Sequence, residues 1–257
     1  MAGLEFFQFP CLSDNYAVLV HEAVSGTTIL VDAPDEDAIR AALAEKGWPL
    51  THILVTHHHW DHTQAIEALK PTTGCTVIGP KGEAAKIKIL DETIDDGDEV
   101  SLGGVRVKAI ATPGHTLGQI SYWLPDAGVV FTGDTMFSMG CGRVFEGTPS
   151  MMWGSLDRLS SMLPDETQVY CGHEYTLANA KFAVTVDPAN DALRERLEEV
   201  VALRKEGKPT LPTTMGLERA TNPFLRARDA GIRAHLGMKN ASDAEVFAEI
   251  RARKDNF

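Results

Sequence analysis

The sequence has few cysteines, few basic side chains and no long apolar run. Its four cysteines, Cys11, Cys75, Cys141 and Cys171, form no CxxC pair. A chain of 257 residues is too long to need a disulfide framework, so we expect buried thiols in a reducing compartment. No stretch approaches the ~18 consecutive apolar residues of a membrane span. The chain starts without a basic segment and reaches Glu5 at once, so we expect no secretory signal and a cytoplasmic protein.

Basic side chains are scarce because 24 Lys and Arg stand against 36 Asp and Glu, a formal net charge of −12. This balance argues against nucleic acid as the main partner, since phosphate binding needs a basic surface. Residues 1–173 carry 10 basic and 23 acidic side chains, whereas residues 174–257 carry 14 and 13. The first part alternates short β-rich runs with turns, and the second has helical periodicity. We therefore predict an α/β domain over 1–173 and a helical domain over 174–257.

Four β-type runs in the first part are each followed by a histidine or an aspartate. Residues 53–56 precede His57, and a run from Val105 to Ala111 precedes His115 through a Thr-Pro-Gly turn. Two further runs follow the same pattern: 129–133 precedes Asp134, and 168–172 precedes His173. Because sites in α/β proteins gather at the carboxyl ends of strands, we expect these side chains to converge on one point.

The strongest single signal is His57-x-His59-x-Asp61-His62, which puts four potential metal ligands within six residues. His57 and His59 can point the same way in an extended segment, whereas Asp61 and His62 lie where a helix running through residues 65–69 is expected to begin. Capping of that helix is an alternative interpretation of Asp61, but it does not explain the flanking imidazoles. We predict that this segment binds metal.

The other histidines are weaker signals when they are taken singly. His115, Asp134 and His173 gain support from their shared position at strand ends. We interpret His58 as a neighbour of the site. His21, His52 and His235 lack this context, and for them we expect ordinary structural roles.

Four segments, 56–62, 113–116, 132–135 and 171–174, resemble the successive metal motifs of the metallo-β-lactamase superfamily in order and spacing. Further segments narrow the resemblance to the hydroxyacylglutathione hydrolase (glyoxalase II) family. These segments are 137–148, 173–176, 221–226 and 251–257. The resemblance therefore runs along nearly the whole chain, including its helical second part.

The resemblance implies an α/β fold class, a four-layer αββα sandwich followed by a small C-terminal helical domain. It also implies two divalent metal ions per chain. Zinc is the metal expected first, and iron or manganese is compatible with the same ligands. By position, one metal would be bound by His57, His59 and His115. The second would be bound by Asp61, His62 and His173, with Asp134 bridging both.

The implied chemistry is hydrolysis of S-D-lactoylglutathione and related 2-hydroxyacyl-glutathione thioesters, a step of methylglyoxal detoxification. The nucleophile would be a hydroxide bound to the metal ions, which Asp61 and Asp134 help to hold. A serine nucleophile is then not needed, and the sequence has no Gly-x-Ser-x-Gly motif. A thiol with a pKa of about 8.5 leaves readily as thiolate, so no dedicated general acid is needed.

Substrate contacts are also implied by the resemblance: Arg143, Arg251 and Lys254 would bind the glutathione carboxylates or backbone, and Tyr175 would donate its hydroxyl. A solvated helix end is the alternative for Arg251 and Lys254, which are three residues apart and share one helical face. Many family members have lysine and tyrosine where this chain has Arg143 and Phe145, so one hydroxyl donor is missing.

Asp32 follows a fifth β-type run, residues 29–31, and resembles the superfamily's carboxylate that orients a ligand histidine. The alternative is a plain aspartate at a strand-to-turn junction before Pro34.

Three other functions compete with thioester hydrolysis. A persulfide dioxygenase-like enzyme shares the fold and a glutathione-derived substrate but uses one iron, so it does not need the complete second set of ligands. A catalytically silent metal-binding protein would be free to lose ligands, yet all seven positions are filled. A tRNA-processing nuclease disagrees with the charge. We expect a monomer.

Overall fold

The computed structural model describes residues 3–257. It contains two compact units. The first holds the described residues up to Ala111 together with Leu117–Gly133, and the second holds Thr112–Thr116 and Asp134–Phe257. Each unit is made of two separate segments of the chain, so the units do not correspond to the domains 1–173 and 174–257 expected from the sequence. Those two domains stay a prediction. No helix within 3–257 has both the length and the apolar character needed to cross a membrane.

The first unit contains a six-stranded sheet in the order β1-β2-β3-β4-β5-β6. The first three strands pair antiparallel, and β3 to β6 pair parallel. All five residues of β3 are buried, as expected for a strand covered on both faces. The strands are β1 Leu4–Cys11, β2 Asn15–Glu22, β3 Thr27–Val31, β4 His52–Leu54, β5 Thr76–Pro80 and β6 Glu92–Ile94.

Four more strands of this unit form an antiparallel meander. They are β7 Glu99–Leu102, β8 Val105–Ala111, β9 Ile120–Leu124 and β10 Val129–Phe131. β8 has the bounds that the sequence predicted. β4 and β10 end two residues earlier than predicted, at Leu54 and Phe131. After β4 the reason is a tertiary contact, because the Thr56 N–H donates to the carboxylate of Asp32.

The helices of the first unit are α1 Glu36–Lys46, α2 Trp60–Thr63 and α3 Ile66–Thr73, and a 3₁₀ turn spans Lys81–Glu83. The single helix expected after the His57 segment is therefore two helices. The interruption has a backbone cause: Ala33 donates to the His62 carbonyl (2.8 Å) and accepts from the Ala65 N–H (3.1 Å). The backbone just after β3 thus occupies groups that a continuous helix would pair internally.

The second unit is mainly helical. Its helices are α4 Pro149–Met162, α5 Thr176–Val186, α6 Asp191–Lys205, α7 Met215–Thr221, α8 Ala230–Leu236 and α9 Asp243–Asp255. Its short strands are β11 Met136–Phe137, β12 Gly140–Cys141, β13 Gln168–Tyr170 and β14 Thr213–Thr214. The helical character predicted for 174–257 is confirmed, since β14 is the sole strand described there.

Side-chain caps define several of these helices. Thr148 caps α4 and accepts from the Met151 N–H, and Pro149 follows at a first-turn position that tolerates proline. Ser242 and Glu245 form a capping box at the start of α9. Buried contacts of Met139 with α5 and α6 form an apolar cluster in this unit. All four cysteines are buried and free, as predicted.

Candidate active site

Asp32 and Thr56 follow two neighbouring parallel strands, β3 and β4. Asp32 adopts a left-handed backbone conformation, with φ of 56°, which aspartate tolerates better than most residues. Its buried carboxylate accepts the Thr56 N–H (2.7 Å), the Thr56 hydroxyl (2.8 Å) and Nδ1 of His62 (2.8 Å). Because Nδ1 of His62 carries this proton, Nε2 presents its lone pair and can ligate a cation.

The ligand-type residues of the first unit form a close cluster. Nε2 of His57 lies 3.1 Å from Nδ1 of His59, and the rings of His57 and His62 are 4.1 Å apart at their centroids. Nε2 of His62 lies 3.7 Å from Oδ2 of Asp61. Donors about 2.0–2.1 Å from a tetrahedral zinc ion lie roughly 3.4 Å from one another, so these separations fit a coordination shell.

Asp61 does not cap the helix in which it lies. The N-cap residue of α2 is His59, which makes no side-chain capping bond. The Asp61 carboxylate instead accepts from Nδ2 of Asn15 (3.1 Å), which also donates to the Asp61 carbonyl (3.2 Å). Asn15 is buried and orients Asp61. Nothing in the sequence pointed to this residue, because it lies 46 positions upstream.

His58 is held by the buried carboxylate of Glu83. Oε2 of Glu83 accepts both the His58 N–H (2.6 Å) and Nδ1 (2.5 Å), and Oε1 accepts the Gly118 N–H (3.1 Å). This arrangement suits a neighbour of the site, as the sequence interpretation expected of His58. Sequence reasoning missed Glu83, whose sole sequence signal is that it is the one acid among the three lysines of residues 81–90.

The second unit holds its own cluster of ligand-type side chains. Oδ2 of Asp134 lies 3.4 Å from Nε2 of His115 and 3.3 Å from Nε2 of His173, and all three residues are buried. Nδ1 of His115 donates to the Arg143 carbonyl (2.8 Å), which turns Nε2 toward Asp134. One carboxylate between two imidazoles is the arrangement expected of a bridging ligand.

A pocket of about 540 Å³ in the second unit brings His115 and Asp134 together with the predicted substrate residues. The predicted residues that line it are His115, Asp134, Arg143, Tyr175, Arg251 and Lys254. The Tyr175 ring stacks on His173, with centroids 4.7 Å apart and planes within 3°. Phe145 is exposed at the pocket, with its ring 5.3 Å from His115.

Arg251 is not part of a solvated helix face, because it is 7% exposed. It donates to the Cys141 carbonyl (2.9 Å) and pairs with Asp255 (2.9 Å), and its guanidinium lies over the Phe224 ring. Arg251 therefore supports the pocket wall as well as lining the pocket. Its contact with Cys141 connects residues 110 positions apart, which a single sequence cannot foresee.

Lys254 is half-buried between two aromatic rings, with Nζ 5.3 Å from both the Phe182 and Phe257 centroids. Nζ also donates to the Ala178 carbonyl (3.2 Å). Burial, together with the charges of Arg251 and Arg143, lowers the pKa of Lys254. An anion in the pocket would offset this repulsion among cations, so the electrostatics favour a negatively charged ligand.

The residues present fit divalent cations. The described residues include groups of His and Asp side chains able to hold a metal ion. Their imidazole nitrogens and carboxylate oxygens suit zinc, iron or manganese. Nδ1 of His62 and Nδ1 of His115 each donate a hydrogen bond, which fixes the orientation of both rings. Histidines that bind metal ions are commonly oriented in this way.

Two family descriptions together match residues 13–257. Residues 13–173 match "Metallo-beta-lactamase superfamily", and residues 174–257 match "Hydroxyacylglutathione hydrolase C-terminus". A curated hydroxyacylglutathione hydrolase of Brucella anthropi is 58% identical over 254 residues, covering 99% of this chain and 97% of that protein. One of Rhizobium meliloti is 57% identical over the full length of both chains.

A solved structure gives the same fold. The crystal structure of ETHE1 from Myxococcus xanthus is 30% identical, with a TM-score of 0.67 over 97% of this chain and 98% of that one. The predicted fold class, an αββα sandwich with a C-terminal helical domain, is thereby confirmed. The family and the His and Asp clusters indicate divalent metal binding. With motifs, fold and full-length identity in agreement, the chain belongs to the hydroxyacylglutathione hydrolase family of the metallo-β-lactamase superfamily.

Proposed function

We propose that this protein hydrolyses S-D-lactoylglutathione and related 2-hydroxyacyl-glutathione thioesters to glutathione and the 2-hydroxy acid. The observation that carries the proposal is the pocket in which His115 and Asp134 lie beside Arg143, Arg251 and Lys254. It combines ligand-type groups suited to a hydrolytic metal with cations suited to an anionic thiol carrier. The full-length relatives named hydroxyacylglutathione hydrolase support the same reaction.

The proposal includes two divalent metal ions, most simply zinc. His57, His59 and His115 would hold the first, and the second would be held by Asp61, His62 and His173, with Asp134 shared. The donor types and the fixed orientations of His62 and His115 support this assignment. When bound, such ions polarise a carbonyl and lower the pKa of water to about 7.

The chain's own residues would bind and orient the thioester. Arg143 and Lys254 would attract the glutathione carboxylates, and Arg251 would add charge from the pocket wall. The Tyr175 ring stacks on His173 and lines the pocket, and its hydroxyl would donate a hydrogen bond to the substrate. Phe145 offers an apolar ring in place of a second donor. A thiolate leaves without protonation, so none of these residues has to act as a general acid.

The other functions have less support. A one-iron persulfide dioxygenase-like enzyme would not need the complete set formed with Asp61, His62 and His173. A catalytically silent metal-binding protein would not need a cationic pocket beside Asp134. The buried free cysteines support a reducing, cytoplasmic compartment. We further propose a small-molecule partner, with no nucleic acid and no membrane partner, and a monomeric chain.

The test is loss of the thioester absorbance of S-D-lactoylglutathione in the presence of metal-loaded protein. Metal content per chain is measured on the same sample by mass spectrometry. Two metals with turnover support the proposal, whereas two metals without turnover would refute it. One iron per chain, with oxygen consumption on a glutathione persulfide, would support the dioxygenase alternative.

A further inference from the structure

The short hairpin β11–β12 links two parts of the candidate site. Met136 pairs with Cys141, and Phe137 pairs with Gly140. Asp134 lies just before the hairpin and Arg143 just after it. The Gly142 N–H donates to the Thr135 carbonyl (3.3 Å), which extends the pairing toward these two residues. The hairpin is buried from end to end, so its backbone groups need partners within the protein.

Those partners are buried side chains from three helices. Asn179 of α5 donates to the Ser138 carbonyl (3.1 Å). Arg251 of α9 donates to the Cys141 carbonyl (2.9 Å). The remaining contacts come from Asn222 and Glu218, at the end of and within α7. Four helical side chains thus take the place of neighbouring strands along this hairpin.

Asn222 contacts both legs of the hairpin. Its Nδ2 donates to the Phe137 carbonyl (3.1 Å) and the Gly140 carbonyl (2.9 Å), and lies 3.0 Å from Oε2 of Glu218. Its Oδ1 accepts the Phe224 N–H (3.0 Å), which fixes the side-chain amide. Asn222 belongs to the segment 221–226 that carries part of the family resemblance, yet it does not line the substrate pocket.

Glu218 holds the turn of the hairpin. Its Oε2 accepts the Met139 N–H (2.7 Å), and its Oε1 accepts the hydroxyls of Ser138 (2.9 Å) and Thr213 (2.8 Å). Met139 has a φ of 52°, a left-handed conformation that is strained for a non-glycine residue. The surrounding contacts must therefore stabilise this turn.

The open end of the hairpin is equally constrained. A Cβ atom on Gly142 would lie 1.9 Å from the Asp134 carbonyl oxygen, so no other residue fits there without a shift of the backbone. The Arg143 carbonyl accepts Nδ1 of His115 (2.8 Å). Because Gly142 is packed tightly against Asp134, a displacement of the turn at Ser138 and Met139 would not be absorbed there. It would instead shift Arg143 at the pocket.

We propose that Asn222 and Glu218 are positioning residues, which act through the β11–β12 hairpin to place Arg143 for binding of the anionic substrate. The inference rests on the proposed function, because it assigns these two side chains to recognition of the glutathione moiety. Neither residue touches the substrate. They act by satisfying backbone groups that would otherwise be buried without partners, which keeps the hairpin in one conformation.

The first test compares Asn222→Ala with Asn190→Ala. Asn190 is a half-buried asparagine of the second unit, whose Nδ2 donates to the Ala220 carbonyl (2.8 Å), and it does not contact the hairpin. Both changes should lower the melting temperature. Asn222→Ala alone should raise KM for S-D-lactoylglutathione by about tenfold or more, because displacement of a binding group by about 1 Å can cost up to 100-fold. Equal KM values in the two variants would overturn the proposal.

A double-mutant cycle identifies the residue through which Asn222 acts. If the effect passes through Arg143, the variant Arg143→Ala/Asn222→Ala should have a KM close to that of Arg143→Ala alone. Multiplicative effects of the two changes would show that Asn222 acts elsewhere, and the proposal would fail. If Asn222→Ala does not fold, the same cycle is run with Asn222→Ser, which retains one hydroxyl donor.

Glu218 allows a conservative rescue. In Glu218→Gln, the amide oxygen can accept the Met139 N–H, and the amide nitrogen can donate to the Ser138 and Thr213 hydroxyls, which rotate to accept. Glu218→Gln should retain KM within about twofold, whereas Glu218→Leu should raise it as Asn222→Ala does. A wild-type KM in Glu218→Leu, or a KM in Glu218→Gln as high as in Glu218→Leu, would contradict this role.

Hydrogen exchange separates this inference from the proposed function. Amides of residues 136–143 should exchange faster in Asn222→Ala than in the wild-type protein or in Asn190→Ala. Unchanged exchange would overturn the positioning role even in an active enzyme. A different outcome is faster exchange in Asn222→Ala while the wild-type protein does not hydrolyse the thioester. That result would agree with the hairpin contacts, but it would refute the proposed function and, with it, the role in substrate recognition.

Discussion

Oδ2 of Asp32 lies 2.8 Å from Nδ1 of His62, 30 positions later in the chain. The same carboxylate accepts the backbone N–H and the hydroxyl of Thr56. Asp32 therefore fixes the ring of His62 and the backbone that leads into the His57 segment. Its strand-end position alone did not distinguish this role from a plain turn, and the three contacts now favour the orienting role.

Substitution of Asp32 tests that role. Asp32→Ala removes the acceptor for Nδ1 of His62. We expect metal affinity to fall about 10- to 100-fold, because the loss of a hydrogen-bond partner of a metal-binding histidine has effects of this size. Isothermal titration with Zn²⁺ measures the change. Asp35→Ala is the control, because it removes a carboxylate that caps α1 and does not contact the ligand segment. Full metal content and rate in Asp32→Ala would contradict the orienting role.

Asp134 is the residue whose loss should affect metal binding most. Its carboxylate lies between Nε2 of His115 and Nε2 of His173. If it bridges two ions, Asp134→Ala should reduce the bound metal at both positions, whereas His173→Ala should reduce it at one. Elemental analysis of the purified variants checks the ratio. Two ions per chain in Asp134→Ala would exclude a bridging role.

Arg251 and Lys254 should differ in what they stabilise. Arg251→Ala leaves the buried Cys141 carbonyl without its donor, so we expect a loss of about 1–3 kcal/mol in the free energy of unfolding as well as a higher KM. Lys254→Ala should raise KM with a smaller effect on stability. The double variant should raise KM much more than it lowers kcat. Denaturant titration measures the free energy of unfolding, and steady-state kinetics measure KM and kcat. An unchanged KM in the double variant would show that neither residue binds the substrate.

Binding should weaken at alkaline pH because the pKa of Lys254 is lowered. The cation is present below this pKa and is lost as the pH rises through it, at a lower pH than for an ordinary lysine near 10.4. KM for the anionic thioester should therefore begin to increase at a lower pH than the titration of an ordinary lysine would give. In Lys254→Arg the charge persists, and the profile should flatten. The same rise in both proteins would assign the titration to another group.

Stability should report the buried carboxyl of Glu218. Burial raises the pKa of Glu218 above its ordinary value of 4.5. The folded state therefore binds this proton more tightly, so the contribution to stability is full below the unfolded pKa and is lost as the pH rises through the folded pKa. Relative to Glu218→Gln, the wild-type free energy of unfolding should fall over this interval. Denaturant titration at several pH values checks it, and a constant difference would contradict the raised pKa.

Much of the fold could be predicted from local patterns. β8 has its predicted bounds, and the other strands before ligand-type residues exist where apolar β-type runs indicated them. Two kinds of detail were wrong. Strands β4, β10 and β13 end two residues earlier than predicted, and the helix after the His57 segment is interrupted. The interruption arises from hydrogen bonds with Ala33, a contact between residues about 30 positions apart that local propensity does not contain.

The sequence by itself determined the chemical types and their order: seven candidate ligands at strand ends, cations in the last helix, and motifs specific enough to identify the family. The tertiary structure decided which side chains hold the others in place. Asn15 orients Asp61, Glu83 engages His58, and Asn222 holds the hairpin that leads to Arg143. Each of these contacts joins residues 25 to 82 positions apart, so it depends on chain packing and leaves no periodicity or spacing in the sequence.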